Sequence, residues 1–350
     1  MKTLLKYTLF LLSLIAFLPE QAKASHMAGG EITWTCQPNG QYIFYMDVYR
    51  ECTGTTFSFP SNQTLSYQNG SITMKPDINR FNSFGGGNVS PKGPTGCQRT
   101  CFSPQQLGAT QIFPFVSDPV TLNGTPPPGG WLFTWTLCCR PSSVANITSP
   151  GSRSFTLRAK MYPFPGKNAN PCFDSSPKFE ELPAVLICKG YDFIFNHNAS
   201  DKDLDSLVYS WDYPWDNINV PVNFSSGFSY TSPLPTPAMN PLNKAATLNT
   251  QTGEIRFGAY SGQSGQQYAT CIRVDAYKCG VKVASVFRDL PFILFDCPLL
   301  PGTGFPNNPP TAQVNGKSAK DYVDTVYAGE KISLPFQSIE SDIIYTDPAD

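Results

Sequence analysis

The sequence predicts an all-β protein built of tandem β-sandwich domains, the first of them a less regular, Cys-rich β domain. Three observations carry that expectation. Short runs alternate apolar and polar residues, the period of a half-buried strand, and no long stretch holds the helical period. Glycine and proline, 27 and 33 residues, punctuate those runs as turns. Aromatic side chains make up 13% of the chain against 15% charged, so a β core has bulky filling and few ions to bury.

The chain opens with Lys2 and Lys6 ahead of an apolar run over residues 8–18, followed by Ala22-Lys23-Ala24. A basic start, a short apolar centre and small residues at both positions of an A-x-A site predict a secretory signal peptide over 1–24, cut before Ser25. The run is too short for a membrane anchor, and no later stretch approaches a span. The expected location is therefore secreted or extracellular, attached to the cell surface. Export suits the eleven cysteines, which pair in oxidising compartments; an odd count leaves at least one thiol free, on a metal, or bonded to another chain. The net charge is −1 and no basic patch interleaves with aromatics, which argues against nucleic acid.

The first domain is expected over 25–169. Asn39-Gly40 lies between two alternating runs, a hairpin signal, and the second run is apolar on both parities, which predicts a central strand. Turn residues dominate 53–130, with candidate strands at 63–67, 71–74 and 111–116. Residues 131–140 place Trp131, Phe133, Trp135 and Leu137 on one face, and 154–161 alternate cleanly. Cys138 and Cys139, as neighbours on a strand, are expected to point to opposite faces and bond different partners. Cys97 and Cys101 can pair within a loop, or one of them can reach Cys138 or Cys139; a zinc knuckle of these four lacks a standard spacing.

The second domain is expected over 170–298. Strands are predicted at 182–188, 191–195, 207–213, on both sides of Gly253, and in a last hairpin turning at Cys279-Gly280. That count over such a length suits a sandwich of immunoglobulin or cadherin type. Ile272, Val274 and Ala276 form the core parity of 268–278, which leaves Cys271, Arg273 and Asp275 facing outward. Cys188 and Cys297, near the two ends of the domain, form the preferred disulfide.

Asp201, Asp203 and Asp205 precede the strand 207–213 at every second position, so an extended backbone puts three carboxylates on one side. Like charges that close repel unless a hard cation is held between them, and Ca2+ at the lip of the sandwich is the expected cofactor. Asp275 and Asp296 are candidates to complete its oxygen shell. The alternative is a solvated loop of Asx-turns. An EF-hand is excluded, because Ser206 stands where that loop needs glycine and a strand follows.

A Pro/Gly linker is expected over 299–312, and residues 313–350 read as the start of a further Ig-like domain that stops before its core strands. The chain is thus expected to be the N-terminal part of a longer one.

Several segments carry a resemblance: Ser25-His-Met-Ala-Gly-Gly-Glu-Ile-Thr-Trp-Thr-Cys36, Val48-Tyr-Arg-Glu-Cys52, Ser176-Pro-Lys-Phe179, Phe195-Asn-His-Asn-Ala-Ser-Asp201, Thr252-Gly-Glu-Ile255 and Arg288-Asp-Leu-Pro-Phe292. They resemble the opening of large secreted surface proteins of Bacteroidetes-type bacteria, associated with gliding motility and type IX secretion. The resemblance implies a multidomain adhesin or surface-filament protein of cadherin-like or PKD-like sandwiches, with calcium at domain edges. Lys202 and Leu204 depart from the usual Asp-Pro-Asp-Gly-Asp of such repeats, and Leu204 is costly if its position needs a positive φ. Asp205-Ser206-Leu207 and Asp324-Thr325-Val326 resemble an O-glycosylation sequence of these bacteria, on Ser206 and Thr325.

Catalysis finds little material: there are two histidines, His26 and His197, and no Cys–His or Ser–His–Asp arrangement has positional support. Two classes of function remain. One is a non-enzymatic cell-surface adhesin or filament component, partnered by a surface polysaccharide, another surface protein or further domains of its own chain. The other is a carbohydrate-binding or accessory region of a secreted multidomain hydrolase, for which Trp215 in a loop would offer its ring to a sugar.

Overall fold

Asn39-Gly40 reverses the chain between β1 (Met27–Cys36) and β2 (Tyr42–Glu51), which pair antiparallel as far as Cys36↔Tyr42. Gly40 takes φ +84°, the left-handed conformation that the turn needs. The computed structural model describes residues 27–52, 61–90, 101, 108–182, 186–297, 311–318, 322–323, 325 and 333–339. The expected signal peptide, Cys97 and residues 299–310 of the expected linker lie outside the described residues.

After β2 come β3 (Gln63–Tyr67), β4 (Gly70–Pro76), a short helix α1 (Ile78–Ser83), β5 (Thr110–Ser117), β6 (Trp131–Cys138) and β7 (Ser154–Met161). Asp77 caps α1 by accepting from the Arg80 N–H. The later part supplies β8 (Lys178–Phe179), β9 (Leu186–Cys188), β10 (Asp192–Asn196), β11 (Ala199–Ser200), β12 (Ser206–Trp211), β13 (Trp215–Asn217), β14 (Val220–Pro221), β15 (Lys244–Leu248), β16 (Glu254–Gly258), β17 (Gln267–Lys278) and β18 (Val281–Phe295). Among the described residues the structure is all-β apart from α1, a 3-10 turn at Pro150–Ser152 and the connecting loops.

Strand β18 organises this assembly. It pairs with β17 along its length, with β7 at Ala284 to Val286, with β1 at Asp289, and in parallel with β9 at Ile293 to Phe295. Strands β18, β1, β2, β5, β4, β3, β6 and β7 therefore close on themselves. The first core fills that ring, with Trp34, Phe44 and Phe133 in ring contact at centroid distances of 4.8 to 6.1 Å. A second core lies where the sheet β10–β16–β15 faces β17 and β18, with Phe193, Phe257 and Phe292 in mutual contact at 5.3 to 6.0 Å.

The segments divided at residue 170 thus own separate cores but share a strand. Val283 and Ala284 of β18 belong to the first core, and Val286, Leu290, Phe292 and Leu294 to the second. Residues up to Phe295 accordingly form one compact unit. A second unit holds β19 (Thr311–Val314), β20 (Lys317–Ser318) and β21 (Phe336–Ile339), with β19 central. Strand β19 begins inside the stretch expected to be linker.

The face of β17 expected to look outward is covered. Ile272, Val274 and Ala276 are in the core as predicted, but Cys271 and Asp275 are also buried, at 2% and 3% exposure. The reason is a second, polar interior. Arg140 makes a two-pronged contact with Asp289, at 3.1 and 2.6 Å, next to Cys271, whose strand partner is Asp289. Arg158 and Arg273 both hold Asp212. Alternation reports which residues share a face, not whether the polar face meets water.

The vicinal cysteines differ from expectation too. Cys138 and Cys139 bond each other. Strand β6 ends at Cys138, so strand alternation does not carry through to Cys139. Cys101 bonds Cys52 rather than Cys97, Cys138 or Cys139, and Cys36 bonds Cys172. Cys188 and Cys297 are each disulfide-bonded.

Candidate functional site

The acidic stretch forms a tight loop between β11 and β12. Asp201 Oδ1 accepts the backbone N–H groups of Asp203 and Asp205, at 2.9 and 3.1 Å, which is the Asx-turn arrangement. Leu204 closes the turn at φ +62° with its side chain 91% exposed. The position does demand the left-handed conformation, and a leucine holds it at the steric cost that glycine would avoid. Ser206 then enters β12 with its side chain exposed.

A fourth carboxylate joins from elsewhere in the chain. Residues 174–176 run beside β1, fixed by the Trp34 N–H to Ser176 Oγ (2.9 Å), the Ser176 N–H to the Trp34 carbonyl (3.0 Å) and the Trp34 indole N–H to the Asp174 carbonyl (3.2 Å). The Cys36–Cys172 disulfide ties the same segment to the end of β1. Asp203 Oδ2 accepts the Ser175 N–H at 2.6 Å, so its carboxylate holds the loop against this segment. Asp174 is thereby turned into the acidic loop, its side chain only 2% exposed.

One ammonium answers these acids. Lys278, at the end of β17, lies 2.9 Å from Asp174 Oδ1 and 3.4 Å from Asp205 Oδ1. Asp174 Oδ2, Asp201 Oδ2 and Asp205 Oδ2 are buried and accept no hydrogen bond. Burial pushes the Asp174 carboxyl up to about 8; Lys278 opposes the rise and Asp205 adds to it. Burial raises the Asp201 carboxyl as well, against its two backbone hydrogen bonds. Burial pulls the Lys278 ammonium down, but Asp174, Asp205 and Asp203 outweigh it and the net shift is upward. Among the described residues no group of three or more His, Cys, Asp or Glu side chains stands ready-arranged around a metal ion. The cluster is closed on Lys278.

Next to the loop opens a cavity of about 430 Å³ lined in part by Glu31, Asp47, Arg80, Lys178, Glu180 and Asp201. Within its wall Arg80 pairs with Asp47 and Lys178 with Glu180. Arg80 grips Asp47 at 2.5 and 2.6 Å. Glu31 accepts from the buried Arg288 at 2.6 and 2.8 Å.

The remaining expected site residues lie elsewhere. Asp275 is not a free ligand: it accepts from Lys282 at 2.7 Å and Ser285 at 2.5 Å, with Arg273 at 3.2 Å. Asp296 falls outside the unit that holds the acidic loop. Trp215 sits in β13 with the Arg158 guanidinium 4.0 Å over its ring, so that face is covered by protein rather than offered to a sugar. Thr325 is exposed. His197 is fully buried between Phe179 and Phe195, and neither ring nitrogen has a hydrogen-bond partner.

Asp174 and Lys278 are the site residues that strand reading passes over. Asp174 lies in a segment that reads as connector. Lys278 carries a signal, because it continues the parity of Ile272, Val274 and Ala276, where an apolar residue is expected. Among the described residues no helix is long and apolar enough to cross a membrane. No family model, curated protein or solved structure matches this chain.

Proposed function

We propose that this chain is a non-enzymatic exported protein displayed at the cell surface, an adhesin or surface-filament component. The observation that carries the reading is the disulfide framework on an all-β scaffold: Cys36–Cys172, Cys52–Cys101 and Cys138–Cys139 are bonded. Such cross-linking belongs to oxidising compartments and suits a domain that must persist outside the cell. The immunoglobulin- or cadherin-like character of residues 170–298 is part of the same proposal. It is supported by the sheet β10–β16–β15 packing across the second core from β17 and β18. Type IX export and gliding motility rest on the resemblance of the N-terminal segments.

Of the expected partners, polysaccharide is favoured by one feature. An open groove of about 470 Å³ is lined by neutral hydroxyl and amide side chains, among them Gln63, Ser66, Thr134 and Asn217. Uncharged donors and acceptors suit sugar hydroxyls. The same groove would serve the second reading, an accessory region of a secreted hydrolase.

The test is antibody labelling of intact cells of the source organism, before and after protease treatment. Surface labelling that protease removes is the expected result. Protein found only inside the cell would overturn the proposal, and hydrolysis of a bound polysaccharide by the natural full-length protein would favour the second reading over the first.

A further inference from the structure

Lys278 ends β17 and turns its ammonium inward, with its side chain 22% exposed. The two acids that it meets are buried further, Asp174 at 2% and Asp205 at 5%. Its Nζ lies 2.9 Å from Asp174 Oδ1 and 3.4 Å from Asp205 Oδ1, and the two carboxyls share a side-chain hydrogen bond. A nucleophile, a carboxyl carbon and a second carboxyl able to carry protons thus stand together with little water between them.

Each member of this triad is fixed from outside it. Ser206 pairs with Tyr277, so Asp205 comes opposite Lys278 at the end of the β12–β17 ladder. Asp174 is clamped through the backbone. The Trp34 indole donates to its carbonyl at 3.2 Å, and the Ser175 N–H beside it donates to Asp203 Oδ2 at 2.6 Å. The Cys36–Cys172 disulfide anchors the same segment just upstream. Such fixing holds the amine near the roughly 3–3.5 Å from the carboxyl carbon that suits attack.

We propose that Lys278 and Asp174 condense into an intramolecular amide cross-link, with Asp205 as the proton carrier. The ammonium first gives a proton to Asp174. This leaves a neutral amine beside a neutral carboxyl, the forms that a low-dielectric interior favours. The Nζ lone pair then adds to Asp174 Cγ. Asp205, as carboxylate, takes a proton from the nitrogen and returns it to the departing hydroxyl, so a Cγ–O bond breaks and water leaves. The sum is ammonium plus carboxylate to amide plus water, and no oxidant, reductant or cofactor enters. Burial helps twice, by disfavouring the charged pair and by excluding the water that the step releases. The link ties the segment 172–176 to the end of β17, a strap that reduction cannot open, unlike the neighbouring disulfide. The cross-link stands independently of the adhesive reading.

The test is peptide mass spectrometry on the full chain, purified folded, then denatured and fully reduced before proteolysis. The expected finding is one branched peptide that joins the stretches around Asp174 and Lys278 and is lighter by one water than the two apart. Lys278→Arg keeps a positive charge beside Asp174 but should give only separate peptides, with a thermal midpoint several degrees lower under reducing conditions. Asp205→Asn should leave most chains unlinked; full linkage there would remove Asp205 from the mechanism. Recovery of the two stretches as separate, unmodified peptides from the folded wild type would overturn the proposal and leave Lys278 as a counter-ion only. The wild-type measurement decides the matter even if a substituted chain fails to fold.

Discussion

At His197 burial has a consequence that pH will expose. The imidazole is fully enclosed, and burial, with Arg288 second, holds its pKa well below the ordinary value. It stays neutral in the folded protein, whereas in the unfolded chain it takes up a proton below about pH 6.5. The unfolded state then binds more protons, so stability falls as pH drops below that value, by about 1.4 kcal/mol at pH 5.5. Denaturant unfolding at pH 7.5 and 5.5 should show this loss in the wild type and a difference smaller by that amount in His197→Phe. Identical pH dependence in the two proteins would count against it. The free thiols make a second contrast at this scale. Cys279 is exposed at the turn between β17 and β18, while Cys271 is buried and its thiol is pushed up by that burial. Of these two, a maleimide should label Cys279 in the native protein and reach Cys271 only after unfolding, as read by peptide mass spectrometry.

Among the elements, β1 is held from two sides by features that tolerate little change. A Cβ on Gly30 would stand 2.5 Å from the Asp47 carbonyl and 2.7 Å from Leu157 Cδ1. The carbonyl belongs to the paired strand β2 and cannot yield without moving the ladder. Gly30→Ala should therefore destabilise by about 1–3 kcal/mol, the usual range for overpacking, measured as a lower denaturation midpoint. The ion pair Glu31–Arg288 joins β1 to β18, its side chains 7% and 1% exposed. Removing one partner strands the other charge in the interior. Arg288→Met alone should cost about 3–5 kcal/mol, and adding Glu31→Leu should recover much of that loss, because the pair itself repays its desolvation poorly. A double-mutant cycle on unfolding free energies checks it; equal losses in the single and double variants would refute it.

For the molecule as a whole, the shared strand decides how the first unit melts. Strand β18 closes the ring around the first core and forms a wall of the second. Neither core is complete without it. Residues up to Phe295 should unfold in one calorimetric transition with calorimetric and van't Hoff enthalpies in agreement, and a fragment ending at residue 169 should lack cooperative unfolding. Two well-separated transitions within that unit, or a stably folded 25–169 fragment, would show the cores to be independent.

The sequence by itself determined the strands. Period-two alternation, Asn39-Gly40, Gly253 and Cys279-Gly280 located β1, β2, β6, β7, β16, β17 and the start of β18, because strand and turn are decided by neighbouring residues. It also marked the acidic loop, since three aspartates at alternate positions are a local fact. Only the tertiary structure decided that Asp174 and Lys278 meet that loop, as each comes from a segment distant in the chain. The same holds for the polar face of β17. Alternation shows that Cys271 and Asp275 share a side, but Arg140, Arg158, Asp212 and Asp289, which help to cover it, come from other parts of the chain. Ring closure by β18 is likewise non-local: no residue within 281–295 records that β1, β7 and β9 will all pair with it. Local periodicity fixes which residues share a face; what that face meets is set by chain topology.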